Sequence, residues 1–149
     1  MSKIIPDVIH DQTLTLVPAG MPVSDAARLM RERNIAAVMI TDGPVLQGIM
    51  TERDITRRVV AQGLDPSATP VGQVMTANPD TLGPDDRPLD ALKLMQERQF
   101  RHIPVVSAHG GILGMLSIRD LYGFVTAELE NNLRSCELYV AGESYGVGA

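Results

Sequence analysis

The sequence predicts an α/β (α+β) architecture of two tandem repeats, each a small sheet with flanking helices, packed about a pseudo-two-fold axis. Three observations carry this. Residues 25–54 reappear, with one extra residue, as residues 90–120; repetition at such a period marks a supersecondary unit that is used twice. Within each copy the apolar spacing changes from helical to strand-like. Between the copies, residues 63–70 are rich in Pro and small side chains and read as a linker.

The repeat is specific along its length. Asp25-Ala-Ala-Arg-Leu-Met-Arg-Glu-Arg33 aligns with Asp90-Ala-Leu-Lys-Leu-Met-Gln-Glu-Arg98, and Gly48-Ile-Met-Thr-Glu-Arg-Asp54 with Gly114-Met-Leu-Ser-Ile-Arg-Asp120. The extra residue falls between Thr41 and Gly48 in the first copy's frame, where a turn absorbs it. In the first copy Ser24 is placed to cap a helix whose stripe is Ala26, Ala27, Leu29 and Met30; Ala91, Leu92, Leu94 and Met95 form the same stripe in the second. Residues 36–40 and 103–106 are short, partly β-branched runs that predict buried strands, bounded by turn signals at 42–44 and 107–111. Return strands follow at 45–50 and 112–116, and Thr51 and Ser117 open further helices, the second running from Asp120 towards Leu133. The resulting division is residues 8–63 for the first repeat, 64–70 for the linker, 71–127 for the second repeat and 128–149 for a helix end and tail. A unit of roughly 50 to 60 residues buries little surface alone, so the copies are expected to pack on each other and leave related clefts at the seam. Helix faces still uncovered predict a homodimer.

Composition narrows the function. With 44% hydrophobic and 21% charged residues the chain has a globular make-up. A net charge of -5 opposes binding to nucleic-acid phosphates, which depends on Lys and Arg displacing counterions. The amino-terminal segment lacks the apolar run of a signal peptide, no segment has the length of apolar residues that spans a bilayer, and the single Cys136 has no internal disulfide partner, so a cytoplasmic protein is expected. His10, His102, His109 and Cys136 show no metal-ligand spacing, and no nucleophile–base pair or phosphate-binding loop is recognisable; neither a metal nor an enzyme is expected.

The motif that recurs is Gly-apolar-x-Thr/Ser-x-Arg-Asp. Taken singly, Thr51 with Asp54 and Ser117 with Asp120 resemble capping boxes with Asp in the usual Glu place. Repeated at the end of a strand in both copies, they are also candidates for binding a ligand at the seam. Arg53, Arg57 and Arg58 come close to one helix face, which reads either as a solvated face or as a phosphate-facing one. After residue 133 the sequence leaves the repeat pattern and ends Gly-rich, a tail in which Leu138, Tyr139 and Val140 are available to dock on a partner subunit.

In combination, Met75-Thr-x-Asn-Pro79, Asp90-Ala-Leu-x-Leu-Met95, His102-Ile-Pro-Val-Val106 and Gly114-x-Leu-Ser-x-x-Asp120 resemble the tandem CBS-domain proteins, the module named after cystathionine beta-synthase, over about residues 8 to 127. The first repeat departs from that pattern: Met39 stands for the usual proline, and Ala36-Ala37 where the second has Arg101-His102. The resemblance implies an adenine-nucleotide sensor (AMP, ADP, ATP or an NAD-type ligand) that modulates a separate, unidentified protein. It implies that Thr51, Asp54, Ser117 and Asp120 bind ribose hydroxyls, that Arg101 and His102 face phosphates, and that Arg53 and Arg119 are further candidates. Charge-assisted bonds from vicinal hydroxyls to a carboxylate suit that role. The alternative is a ligand-free structural or interaction module with the same fold. The sequence leaves open which repeat's hydroxyl–carboxylate pair shares a cleft with Arg101.

Overall fold

In the first repeat the apolar runs join in one sheet. Parallel to β2 (Ala37–Asp42) lies β1 (Leu16–Pro18), and antiparallel to β2 runs β3 (Val45–Thr51), whose other edge takes the two-residue β4 (Thr76–Ala77), so the order is β1-β2-β3-β4. These elements are seen in a computed structural model, which describes residues 1–146. Ala37, Val38, Met39 and Ile40 are all buried, so β2 is a continuous apolar run rather than an alternating one. Gly43, at φ +56°, makes the turn into β3, a conformation that glycine adopts without a Cβ clash.

The second repeat copies the hairpin. β5 (His102–Val106) pairs with β6 (Ile112–Ser117), and Leu82 bridges parallel to Val105 where β1 lies in the first repeat. Both hairpins slip register at aligned places, between Ile40 and Thr41 and between Val105 and Val106. The helices α1 (Val23–Arg33) and α4 (Pro88–Arg98) bury Ala26 and Met30, and Ala91 and Met95. Each ends on a left-handed residue, Asn34 at φ 53° and Gln99 at φ 59°, which turns the chain into the next strand.

The two cores are cross-linked by sequence. Ile4, from the amino-terminal turn at Ile4–Val8, and Ile9, which follows it, belong to the core of the second repeat, with Ala91, Met95, Ile103, Val105, Leu116 and Leu121. Conversely α3 (Val71–Val74), which leads into the second repeat, places Val71 and Val74 in the core of the first. Each repeat's core is therefore completed by residues at or just before the start of the other.

Three local readings need correction or addition. Ser24 does not cap α1: Pro22 holds the cap position, with no side-chain cap bond, and the Ser24 N–H donates to the Pro66 carbonyl. The stretch at 64–70 is pinned rather than loose, since Thr69 is buried, its hydroxyl donates to the Asp65 carbonyl, and Val23 N–H donates to the Thr69 carbonyl. The last helix, α5 (Ile118–Gly146), does not stop near Leu133 but takes in most of the tail, in which no proline interrupts the backbone bonds. Val147, Gly148 and Ala149, the end of the Gly-rich tail, lie outside the described residues.

Candidate functional site

β3 ends at Thr51, and α2 (Glu52–Ile55) starts at once and continues into a turn at Thr56–Val60. The junction is held by a closed ring: Thr51 N–H donates to Asp54 Oδ2 at 2.9 Å, and Asp54 N–H donates to Thr51 Oγ1 at 3.2 Å. The Thr51 hydroxyl also lies 3.2 Å from the same carboxylate oxygen. Ser117 and Asp120 repeat the ring at the start of α5, with 2.9 Å and 3.1 Å for the backbone donors. Both pairs are thus capping boxes, and each uses Asp Oδ2 for the cap. The remaining oxygen differs. Asp54 Oδ1 accepts from Thr76 Oγ1 at 3.4 Å and lies 3.7 Å from Arg58 Nε, whereas no partner of Asp120 Oδ1 is found among the described residues.

A cleft of about 750 Å³ opens between the repeats, within the range of small-molecule sites. Thr51, Asp54, Arg53, Arg57 and Arg58 of the first repeat line it together with Arg98, Gln99, Arg101 and His102 of the second. The question left open by the sequence is answered: Arg101 shares its cleft with the Thr51–Asp54 pair of the other repeat. All three arginines of the cluster Arg53, Arg57 and Arg58 line this cleft, and Arg57 and Arg58 are exposed.

Several of these cations are already engaged. Arg53 Nη1 donates across the seam to the Gln99 carbonyl at 3.1 Å, Arg58 to the Val74 and Met75 carbonyls at 3.2 and 2.8 Å, and Arg98 lies 3.7 Å from Asp80. Arg57 and Arg101 are exposed, and their guanidiniums make no hydrogen bond or ion pair among the described residues. His102 is half-buried, and its pKa is lowered: burial pushes it below the ordinary histidine value and Arg101 adds to the push, against the carboxylates of Asp120 and Glu52. At neutral pH it is therefore a neutral donor or acceptor rather than a second cation.

Arg119 stands apart from this cleft. It lines a smaller recess of about 500 Å³ with Asn34, Ile35, Ala36 and Glu52, and makes no bond corresponding to that of Arg53 among the described residues. Arg98 is a cleft residue that the sequence does not single out; the aligned Arg33 and Arg98 end their helices alike, and only the cross-repeat packing brings Arg98 to the cleft. Among the described residues no cluster of three His, Cys, Asp or Glu could hold a metal ion, and no helix is long and apolar enough to cross a membrane.

Comparison with known proteins shows the family and the fold. A family model described as the CBS domain matches residues 6–61 and again 71–126. The CBS domain-containing protein CBSCBSPB3 of Arabidopsis thaliana is 42% identical over 132 residues, covering 89% of this chain but 23% of that protein. The chain spans under a quarter of the length of that relative and of CBSCBSPB2, and 60% of the mitochondrial CBSX3, both also from Arabidopsis thaliana. Among solved structures, a putative signal-transduction protein with CBS domains from Burkholderia ambifaria superposes with a TM-score of 0.80 at 34% identity, covering 85% of this chain and 95% of that one. A CBS domain protein from Pyrobaculum aerophilum complexed with AMP does so with a TM-score of 0.68 at 26% identity, covering 74% and 85%.

Proposed function

This chain belongs to the CBS-domain family, and from that premise we propose that it is a regulatory module that binds a phosphorylated adenine nucleotide in the cleft lined by Thr51, Asp54 and Arg101. The observation that carries the reading is the meeting, in one cleft, of a hydroxyl–carboxylate pair from one repeat and an unengaged guanidinium from the other. Asp54 Oδ1, held beside Thr76, accepts from ribose hydroxyls. Arg101 and Arg57 take the phosphates, for which a guanidinium offers paired donors. AMP, ADP, ATP and NAD-type ligands share these groups, and the AMP complex of the Pyrobaculum protein supports the class. His102 contacts the phosphate as a neutral group or becomes charged when the phosphate arrives. In the second repeat Ser117 and Asp120 supply the corresponding pair, but the residues aligned with Arg101 and His102 in the first are Ala36 and Ala37. We therefore assign one strong phosphate-binding cleft per chain. The output is carried by another protein, in the cytoplasm, which responds to the packing of the two repeats; a homodimer is the assembly state that goes with this.

A ligand-free interaction module has one observation in its favour, the complete capping rings at both junctions. The test separates them. Purified protein is denatured and the released fraction examined for nucleotide absorbance, and the stripped protein is titrated calorimetrically with AMP, ADP, ATP and NAD. Binding of at least one, with Asp54→Ala weakening it by roughly ten- to hundredfold, is the expected result. A ligand at 100 times its dissociation constant adds about 2.7 kcal/mol to stability. No heat and no thermal shift with any of the four at millimolar concentration would leave the interaction module standing.

A further inference from the structure

From Thr126 to Gly142, about 25 Å at 1.5 Å per residue, every residue of α5 is exposed, with the Ser2 hydroxyl donating to Glu128 Oε1 at 3.5 Å near its start. A single helix of that length is marginal in water, because most helix stability in proteins comes from packing an apolar face. The apolar face here has a definite period. Tyr122, Thr126, Leu129, Leu133, Cys136 and Val140 follow one another at alternating steps of four and three, the spacing of a coiled-coil seam. Tyr122, Leu129 and Leu133 are 59%, 63% and 62% exposed, and Cys136 is exposed too.

The flanks decide what covers the seam and in which direction. On one side lie Glu130 and Glu137; on the other lie Val125, Asn132 and Tyr139, none of them charged. In a parallel pair of identical helices the two kinds of flank face each other, which sets Glu130 against Val125 and Glu137 against Asn132 of the second copy, without like-charge contact. An antiparallel pair sets like flank against like, bringing glutamates of the two copies together, a repulsive arrangement. We propose that α5 is an interaction surface for a second copy of this chain, forming a parallel two-stranded coiled coil through Tyr122, Leu129, Leu133 and Cys136. This surface is separate from the nucleotide cleft and does not depend on the ligand reading.

The full-length chain is treated with a copper–phenanthroline oxidant and run without reductant, and its association is measured by sedimentation. In a parallel, in-register pair the two Cys136 side chains occupy one layer, so a disulfide-linked dimer is expected, while Cys136→Ser abolishes the link. Leu129→Glu with Leu133→Glu places charges in the seam without touching either core, and association should weaken about a hundredfold with the thermal transition of the body and nucleotide binding retained. An unlinked chain under oxidation, or a dimer whose association constant is the same in the double variant, overturns the proposal. Either outcome leaves the nucleotide result unaffected.

Discussion

The two hairpins have the same glycine at the same place, and the edge beside it is closed in different ways. In the first repeat Gly48 and Ile49 pair with Ala77 and Thr76 of β4, so backbone lies against the glycine. In the second, no strand among the described residues covers the corresponding Gly114 and Met115; the Gln12 side chain does, accepting from Met115 N–H at 2.9 Å and donating to its carbonyl at 3.0 Å. One amide side chain reproduces the donor and acceptor that a strand residue offers. A repeat preserved in sequence can thus be completed by unlike means, because the completing segment comes from outside it.

The sharpest test of this difference is to add the same methyl group to both copies. A Cβ on Gly48 would lie 2.6 Å from the Thr76 carbonyl oxygen and 2.6 Å from Met75 Sδ, and the backbone contact cannot yield without parting β4 from β3. A Cβ on Gly114 meets Gln12 Oε1 and Ile9 Cδ1 at 2.9 Å, both at the ends of side chains rather than in backbone, the first exposed and the second in the core. Gly48→Ala is expected to cost about 1–3 kcal/mol, the usual range for overpacking, and Gly114→Ala less than half as much, read from denaturant midpoints of the two variants. Equal losses would show that Gln12 and Ile9 are as fixed as a strand.

Next in size is the asymmetry of the proposed ligand sites. Arg101→Ala should weaken AMP binding by about tenfold or more, as expected for a charge-assisted contact, and spare adenosine, in calorimetric titrations of both ligands. Asp54→Ala should weaken both, since the ribose is common to them, and should act more strongly than Asp120→Ala. Equal effects of Arg101→Ala on AMP and adenosine would remove phosphate from its role. A smaller effect is expected of Gln12→Ala, which deletes two bonds at an exposed site and should cost about 1 kcal/mol, with no change in AMP affinity in the Thr51–Asp54 cleft.

Much of this was readable from the order of residues, and the reason is the repeat itself. Two copies of Met30/Met95 at helical spacing and of the hydroxyl–carboxylate pair gave the cores and both helix starts. What was missed is what local pattern does not encode. β1 and β4 are three and two residues long, too short for an alternation to show. Ser24 had the chemistry of a cap, but Pro22 already fixed an extended backbone ahead of the helix. The crossing of Ile4 and Ile9 into the second core, and of Val71 and Val74 into the first, joins residues far apart in sequence. The same long-range packing decides that Arg101 faces Thr51 and Asp54, which no spacing within one repeat could reveal.

The smallest effect concerns His102, whose counterpart in the first repeat, Ala37, does not titrate. The groups that act on its imidazole are Asp120 at the head of α5, Glu52 at the head of α2 and its neighbour Arg101. Burial outweighs the two carboxylates, so the folded pKa lies below the unfolded value of about 6.5. The unfolded chain therefore binds more protons in the interval between the two values, and the sign follows: stability is retained above pH 6.5 and declines as pH falls through the folded value. His102→Gln, which keeps a polar side chain and removes the titration, should flatten that decline without altering stability at pH 8. A bound phosphate opposes that bias, because its negative charge favours the imidazolium; AMP binding should then take up protons and strengthen as pH falls towards the histidine's titration range, while adenosine binding should not. The phosphate's own ionisation, near pH 6, contributes to the AMP profile in wild type and variant alike, so the difference between the two profiles isolates the histidine. Calorimetry in two buffers of different ionisation enthalpy measures that uptake directly, and equal proton uptake by the wild type and His102→Gln would place the phosphate away from His102.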